Sequence, residues 1–143
     1  MVKWTVLVAL ALALVGSAAT PTALEPPVIS EGFTLLPCTA KKTTIGLDGC
    51  AEHRIVRSDR AINRRARTIF FLLRRGNSSA AQLRFVRGEC AWLRYRRALC
   101  ASRSDLYEGG SAAGVVFAEC EVAKNMAHLR ELERFERLLR RRY

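Results

Sequence analysis

The sequence predicts an all-α domain, a small disulfide-stapled antiparallel bundle of three helices. Three observations predict it. From residue 48 onward, apolar residues recur at three- and four-residue spacing over three long segments. The segments are joined by short connections around Gly76 and through "YEGGSAAG" at residues 107–114, which favours antiparallel neighbours. Five cysteines occur in 143 residues, and a core this small leans on cross-links.

The chain divides into residues 1–19, 20–37 and 38–143. "MVKWTVLVALALALVGSAAT" has Lys3, an apolar run from Trp4 to Val15, then small residues. That layout predicts a secretory signal peptide, with cleavage after Ala19 preferred and Ala18 or Ala23 as the alternatives. The run is shorter than the roughly 20 residues a membrane-spanning helix needs. Leu14-Val15-Gly16-Ser17 has serine where a lipoprotein signal carries its acylated cysteine. Export to the periplasm or the medium without a lipid anchor is therefore expected. Residues 20–37 hold all four prolines and read as an extended, partly mobile lead-in. Residues 38–143 make the helical domain.

The first helix is expected from about Asp48. Ile55, Ile62, Ala66, Ile69 and Leu73 form its apolar stripe, and Arg57, Arg60, Arg64, Arg65 and Arg67 lie largely off it. Arg74 and Arg75 suit the negative end of the helix dipole, and Gly76 suits a left-handed cap. The second helix opens at "SSAAQ", where Ser79 and Gln82 predict a capping box. Its stripe runs Phe85, Val86, Glu89, Trp92, Leu93, Arg96, Leu99 and Cys100, apolar but for two charges. Gly88 costs about 1 kcal/mol against alanine in mid-helix and is expected to mark a close helix contact. After a flexible connection, the third helix runs from about Val115 to Leu139. Val122, Met126, Leu129, Leu132, Phe135 and Leu139 are its expected buried side. Glu133 with Arg137 and Glu136 with Arg140 are favourable i,i+4 pairs.

Cysteines in an exported chain default to disulfides. Cys90 and Cys100 lie ten residues apart on one helix, about 15 Å along its axis. A disulfide needs Cα atoms within about 7 Å, so these two do not pair. Cys50, Cys100 and Cys120 come to one pole of the bundle, and Cys38 reaches the same pole. Cys90 is left as the free thiol. The preferred pairing is Cys50–Cys100 with Cys38–Cys120, and the same partners exchanged are the alternative.

Several separated motifs stand in a recognisable order. "SDRAIN" carries Asp59, Ile62 and Asn63; "AWLRYRRALC" carries Trp92, Arg96 and Cys100; "LYEGGS" precedes Cys120; Cys38 and Cys50 come first. In this order and spacing the chain resembles the LprI-like family of exported bacterial proteins, named for a lysozyme-inhibiting member. The resemblance covers roughly residues 38 to 132. Cys90 has no counterpart in the family pattern. Arg97 and Leu99 stand where the family is commonly acidic, and His128 stands where it usually has arginine.

Asp59 on the first stripe and Arg96 on the second predict an ion pair across the helix interface. Trp92 is expected beside it and Asn63 nearby, in an architectural rather than a catalytic role. His53 and His128 show no metal-ligand spacing, and Ser111 in "GGSAAG" is not a nucleophile elbow. The expectation is no enzyme, no metal and no cofactor.

The resemblance implies a binding protein aimed at lysozyme-type muramidases, which cut glycan with two carboxylates in a cleft. A basic side chain presented by the 104–114 connection would suit such a cleft. Tyr107, Gly109, Gly110 and Ser111 are candidate contacts there, with Arg57, Arg60 and Arg64 on the first helix. The net charge is +11, and +10 once Lys3 leaves with the leader. That charge favours anionic partners and opposes the approach of basic lysozymes. The alternative is a basic structural or adaptor protein that holds acidic envelope polymers or an acidic protein. Export makes nucleic acid an unexpected partner, and no segment after the leader is apolar enough to span a membrane.

Overall fold

The computed structural model describes residues 24–30, 35–38, 43–76, 78–108 and 110–143. The signal peptide reading and Gly109 lie outside the described residues. Three helices follow in order: α1 Thr44–Arg75, α2 Ser79–Asp105 and α3 Ala113–Arg142. They pack as a disulfide-stapled antiparallel bundle, the fold the sequence predicts. α1 and α3 run parallel to each other and share the largest interface, and α2 packs mainly on α3.

α1 starts before Asp48, because the Thr43 side chain accepts a hydrogen bond from the Gly46 N–H at 3.1 Å and caps the helix there. All five stripe residues of α1 are buried. At its other end Gly76 has φ −75°, so the expected left-handed cap is not formed. The tip of the exposed Tyr143 side chain lies over Gly76, where a Cβ would displace it. α2 is capped by Ser78, not Ser79, through a 3.3 Å hydrogen bond from the Ala81 N–H. The expected capping box is absent because Gln82 is turned inward, donating to the Phe70 carbonyl of α1 at 3.3 Å.

Two apolar clusters form the core. The larger joins Ile62, Ile69, Leu72, Leu73, Leu132 and Leu139, with Phe85, Trp92, Leu129 and Phe135 against it. The smaller joins Ala51, Ile55 and Ala118, with Val122 against it. On α3, Met126 is 48% exposed, contrary to expectation. The most buried stripe there runs through Glu121, Asn125, His128 and Leu132 instead. Glu136 pairs with Arg140 as expected, at 2.7 Å, while Glu133 reaches across to Arg65 on α1 at 3.3 Å.

Gly88 is exposed, and a Cβ added to it would meet nothing within 4 Å. The expected close helix contact is therefore wrong, and the residue only weakens α2. Gly88→Ala is expected to raise the unfolding free energy by about 0.5–1 kcal/mol, read as a higher urea midpoint at unchanged slope.

The disulfides are Cys38–Cys50, with Cα atoms 4.5 Å apart, and Cys100–Cys120, with Cα atoms 5.5 Å apart. This corrects both expected pairings, although the four cysteines used and the free Cys90 are as expected. The reason is the rotation of α1. Cys50 lies about 100° from the buried position Ala51 and so is turned away from the core. It meets the lead-in instead. There Leu35 takes φ 51°, Leu36 donates its N–H to Glu52 at 3.1 Å, and the Leu36 carbonyl would be 2.7 Å from a Cβ on Gly49. A side chain at Gly49 would push this segment off the helix. Cys100 and Cys120 close the α2–α3 hairpin behind its connection.

Candidate functional site

Between the two apolar clusters lies a buried polar layer. Arg96, 1% exposed, donates to Asp59 Oδ1 and to Asn125 Oδ1, each at 2.7 Å. Asn125 donates in turn to Asp59 Oδ1 and to Ser58 Oγ, both at 2.8 Å. Ser58 donates to the Ile55 carbonyl at 2.9 Å, and Glu121 lies 3.4 Å from Arg96 Nε. The guanidinium carbon is 5.5 Å from the Trp92 ring centroid. All three helices contribute, so the layer fixes their rotation and axial register. The ion pair expected between Asp59 and Arg96 is present, with Trp92 beside it. Asn63 does another job: it exchanges two 2.9 Å hydrogen bonds with the backbone of Ile29 and pins the lead-in to α1.

A second buried set lies farther along α2 and α3. His128 donates through Nε2 to Glu89 at 3.0 Å, and its ring stacks on Trp92 at 3.9 Å. Glu89, an unexplained charge on the α2 stripe, thereby finds its partner on α3. These contacts tie the three helices together, while among the described residues His128 Nδ1 makes no hydrogen bond and lies 3.6 Å from Glu131. Among the described residues no three His, Cys, Asp or Glu side chains gather as a metal-binding group.

The exposed candidates separate into two places. The described residues of the α2–α3 connection form hydrogen-bonded turns. Tyr107 donates to Ser104 at 2.8 Å, Glu108 to Asp105 at 3.2 Å, and Gly110 to Tyr107 at 2.9 Å. The Ser104 hydroxyl donates across its base to the Ala113 carbonyl at 2.9 Å. Cys100–Cys120 clamps the helices directly behind. The turns hold out Leu106, 82% exposed, and Tyr107, 50% exposed, with Gly110 and Ser111 following. The connection contains no lysine or arginine, so the expected basic side chain is not supplied by it. Its charges are Asp105 and Glu108.

Asp48 and Glu52 of α1 stand at the same end of the bundle. The Asp48 carboxylate lies against Gly114 at the start of α3, where a Cβ would be 2.9 Å from Oδ2. Burial, and then the neighbouring Glu52, push the Asp48 carboxyl above its ordinary range. Four carboxylates, Asp48, Glu52, Asp105 and Glu108, thus stand at this end, beside Arg54 and Arg103. Arg57, Arg60 and Arg64 are not brought to it. They face solvent on α1, and Arg57 is already about 13 Å along the axis from Asp48.

The residues that sequence reasoning missed are Glu121, Asn125 and His128. Their signal was the spacing 121, 125, 128 and 132, which continues the register of the buried Leu132.

A family model described as lysozyme inhibitor LprI matches residues 38–132, more than half of the chain. Comparison with curated proteins and with solved structures finds no match. Among the described residues, no helix is long and apolar enough to cross a membrane.

Proposed function

Because the chain belongs to the lysozyme inhibitor LprI family, we propose that it is an exported, non-enzymatic protein that binds a lysozyme-type muramidase through the α2–α3 connection. The observation that carries this reading is the rigid mounting of an exposed Leu106–Tyr107 tip directly above the Cys100–Cys120 clamp. Ordered turns lose little conformational freedom on binding, and an aromatic-aliphatic tip is a suitable anchor for a cleft. The charge objection weakens at this end. Asp48, Glu52, Asp105 and Glu108 give local complementarity to a basic enzyme, although the whole chain carries +11. The interior groups do not contribute contacts; they hold the tip in place.

The test is a lysis assay at physiological salt, with purified protein added to a basic muramidase acting on a cell-wall suspension. Lysis is expected to slow in proportion to added protein. Undiminished lysis at a large excess counts against the reading.

A further inference from the structure

We infer that the outward face of α1 is a docking strip for a linear phosphodiester polyanion, separate from the loop tip. Arg57, Arg60, Arg64, Arg67 and Arg74 are all exposed. At about 100° per residue they fall within one sector of about 100°, opposite the buried Ile55–Ile62–Ile69 stripe. Phe71 fills the one wide step in the row. It is 44% exposed, and the Arg74 guanidinium carbon lies 4.9 Å from its ring centroid.

No acidic residue shares this sector, since α1's carboxylates, Asp48, Glu52 and Asp59, lie on the other side. Among the described residues, no carboxylate lies within ion-pair distance of Arg57, Arg60, Arg64, Arg67 or Arg74. Of the arginines beside the row, Arg54 pairs with Glu119 and Arg65 pairs with Glu136 at 2.6 Å, while exposed Arg75 extends the row at its C-terminal end. Like charges three and four residues apart destabilise a helix, so the bare row carries a standing cost that a bound polyanion removes.

Its shape selects the partner. The row is about 25 Å long, with an arginine about every 4.5–6 Å except at Phe71, and it is one side chain wide. A thread of regularly spaced phosphates fits that strip, and guanidinium groups take phosphate oxygens two at a time. A bilayer needs a broader face, and the flanks here bring Glu119 and Glu133 to the surface. The exposed arginines of α2 (Arg84, Arg87, Arg94, Arg97 and Arg103) are interrupted by the six residues 88–93 and again by residues 98–102, and make no continuous row.

The probe is a short fluorescent poly(glycerol phosphate) chain, titrated at several salt concentrations. The R57Q/R60Q/R64Q/R67Q variant is expected to bind at least about tenfold more weakly, with a log affinity–log salt slope shallower by about 3. The R84Q/R87Q/R94Q/R97Q variant, with the same loss of charge, is expected to stay within about twofold of the parent at one salt concentration. Should the glutamine set fail to fold, the matching Arg→Lys set keeps the charge and loses the paired contacts, and is expected to weaken binding several-fold. Equal losses in the two glutamine variants overturn the inference. So does a parent chain that ignores the polymer, or that prefers phosphatidylglycerol vesicles to it. The α1 variant is expected to slow muramidase lysis as the parent does, so failure of this inference and failure of the inhibitor reading are distinguishable.

Discussion

Replacing Arg96 with methionine is expected to lower the unfolding free energy by about 3–5 kcal/mol, the cost of breaking a buried ion pair from one side. Methionine restores much of the volume but neither the charge nor the donors. Asp59 and Glu121 would then remain in an interior that held one guanidinium between them. Asn125 would lose the donor that its side-chain oxygen accepts from. Domains of this size are stable by about 5–15 kcal/mol, so the loss removes a large share. Urea unfolding at unchanged slope measures it. Asp59→Asn is expected to cost less than half as much, because Arg96 keeps Asn125 and Glu121 as neighbours. A loss under about 1 kcal/mol for Arg96→Met would mean that the polar layer does not hold the bundle together.

Removing the hairpin clamp is the next largest effect. Cys100→Ser with Cys120→Ser opens a loop of sequence separation 20, worth about 3 kcal/mol in chain entropy of the unfolded state. The expected signature differs from that of Arg96→Met. The unfolded chain expands, so the urea slope rises while the midpoint falls. The same change loosens the base of the connection, so inhibition is expected to weaken even where the variant remains folded. Unchanged stability under non-reducing conditions would contradict the pairing seen here.

How far the sequence reaches is clear from particular residues. Asp59 and Arg96 were legible because each is a charge at a core position of its helix, and opposite charges there have few other partners. Glu89 was visible as an anomaly, but its partner was not. The reading of α3 followed Val122, Met126 and Leu129, one position along from Glu121, Asn125 and His128. Both sets keep three- and four-residue spacing, so periodicity alone does not choose between rotations 100° apart. Val122 and Leu129 do reach the core from the flank, and only Met126 turns out to solvent. The disulfide pairing failed for the same reason on α1. All four cysteines reach one pole, and the choice of partner depends on which way Cys50 is rotated. The connection was misread because glycine content signals turn formation without saying whether the turns are tied down. Here Ser104, Tyr107 and Gly110 tie them.

The proposed recognition surface is the staple-backed end of the bundle, and the basic face of α1 faces elsewhere. The most direct measurement is the inhibition constant for a basic muramidase, compared between the parent chain and the L106A/Y107A variant. Both residues are exposed, so the variant keeps the fold. Loss of an anchor pair of this kind is expected to weaken inhibition by about 30-fold or more, with helicity and urea midpoint unchanged. Equal inhibition by the two proteins would contradict the assignment of binding to this tip.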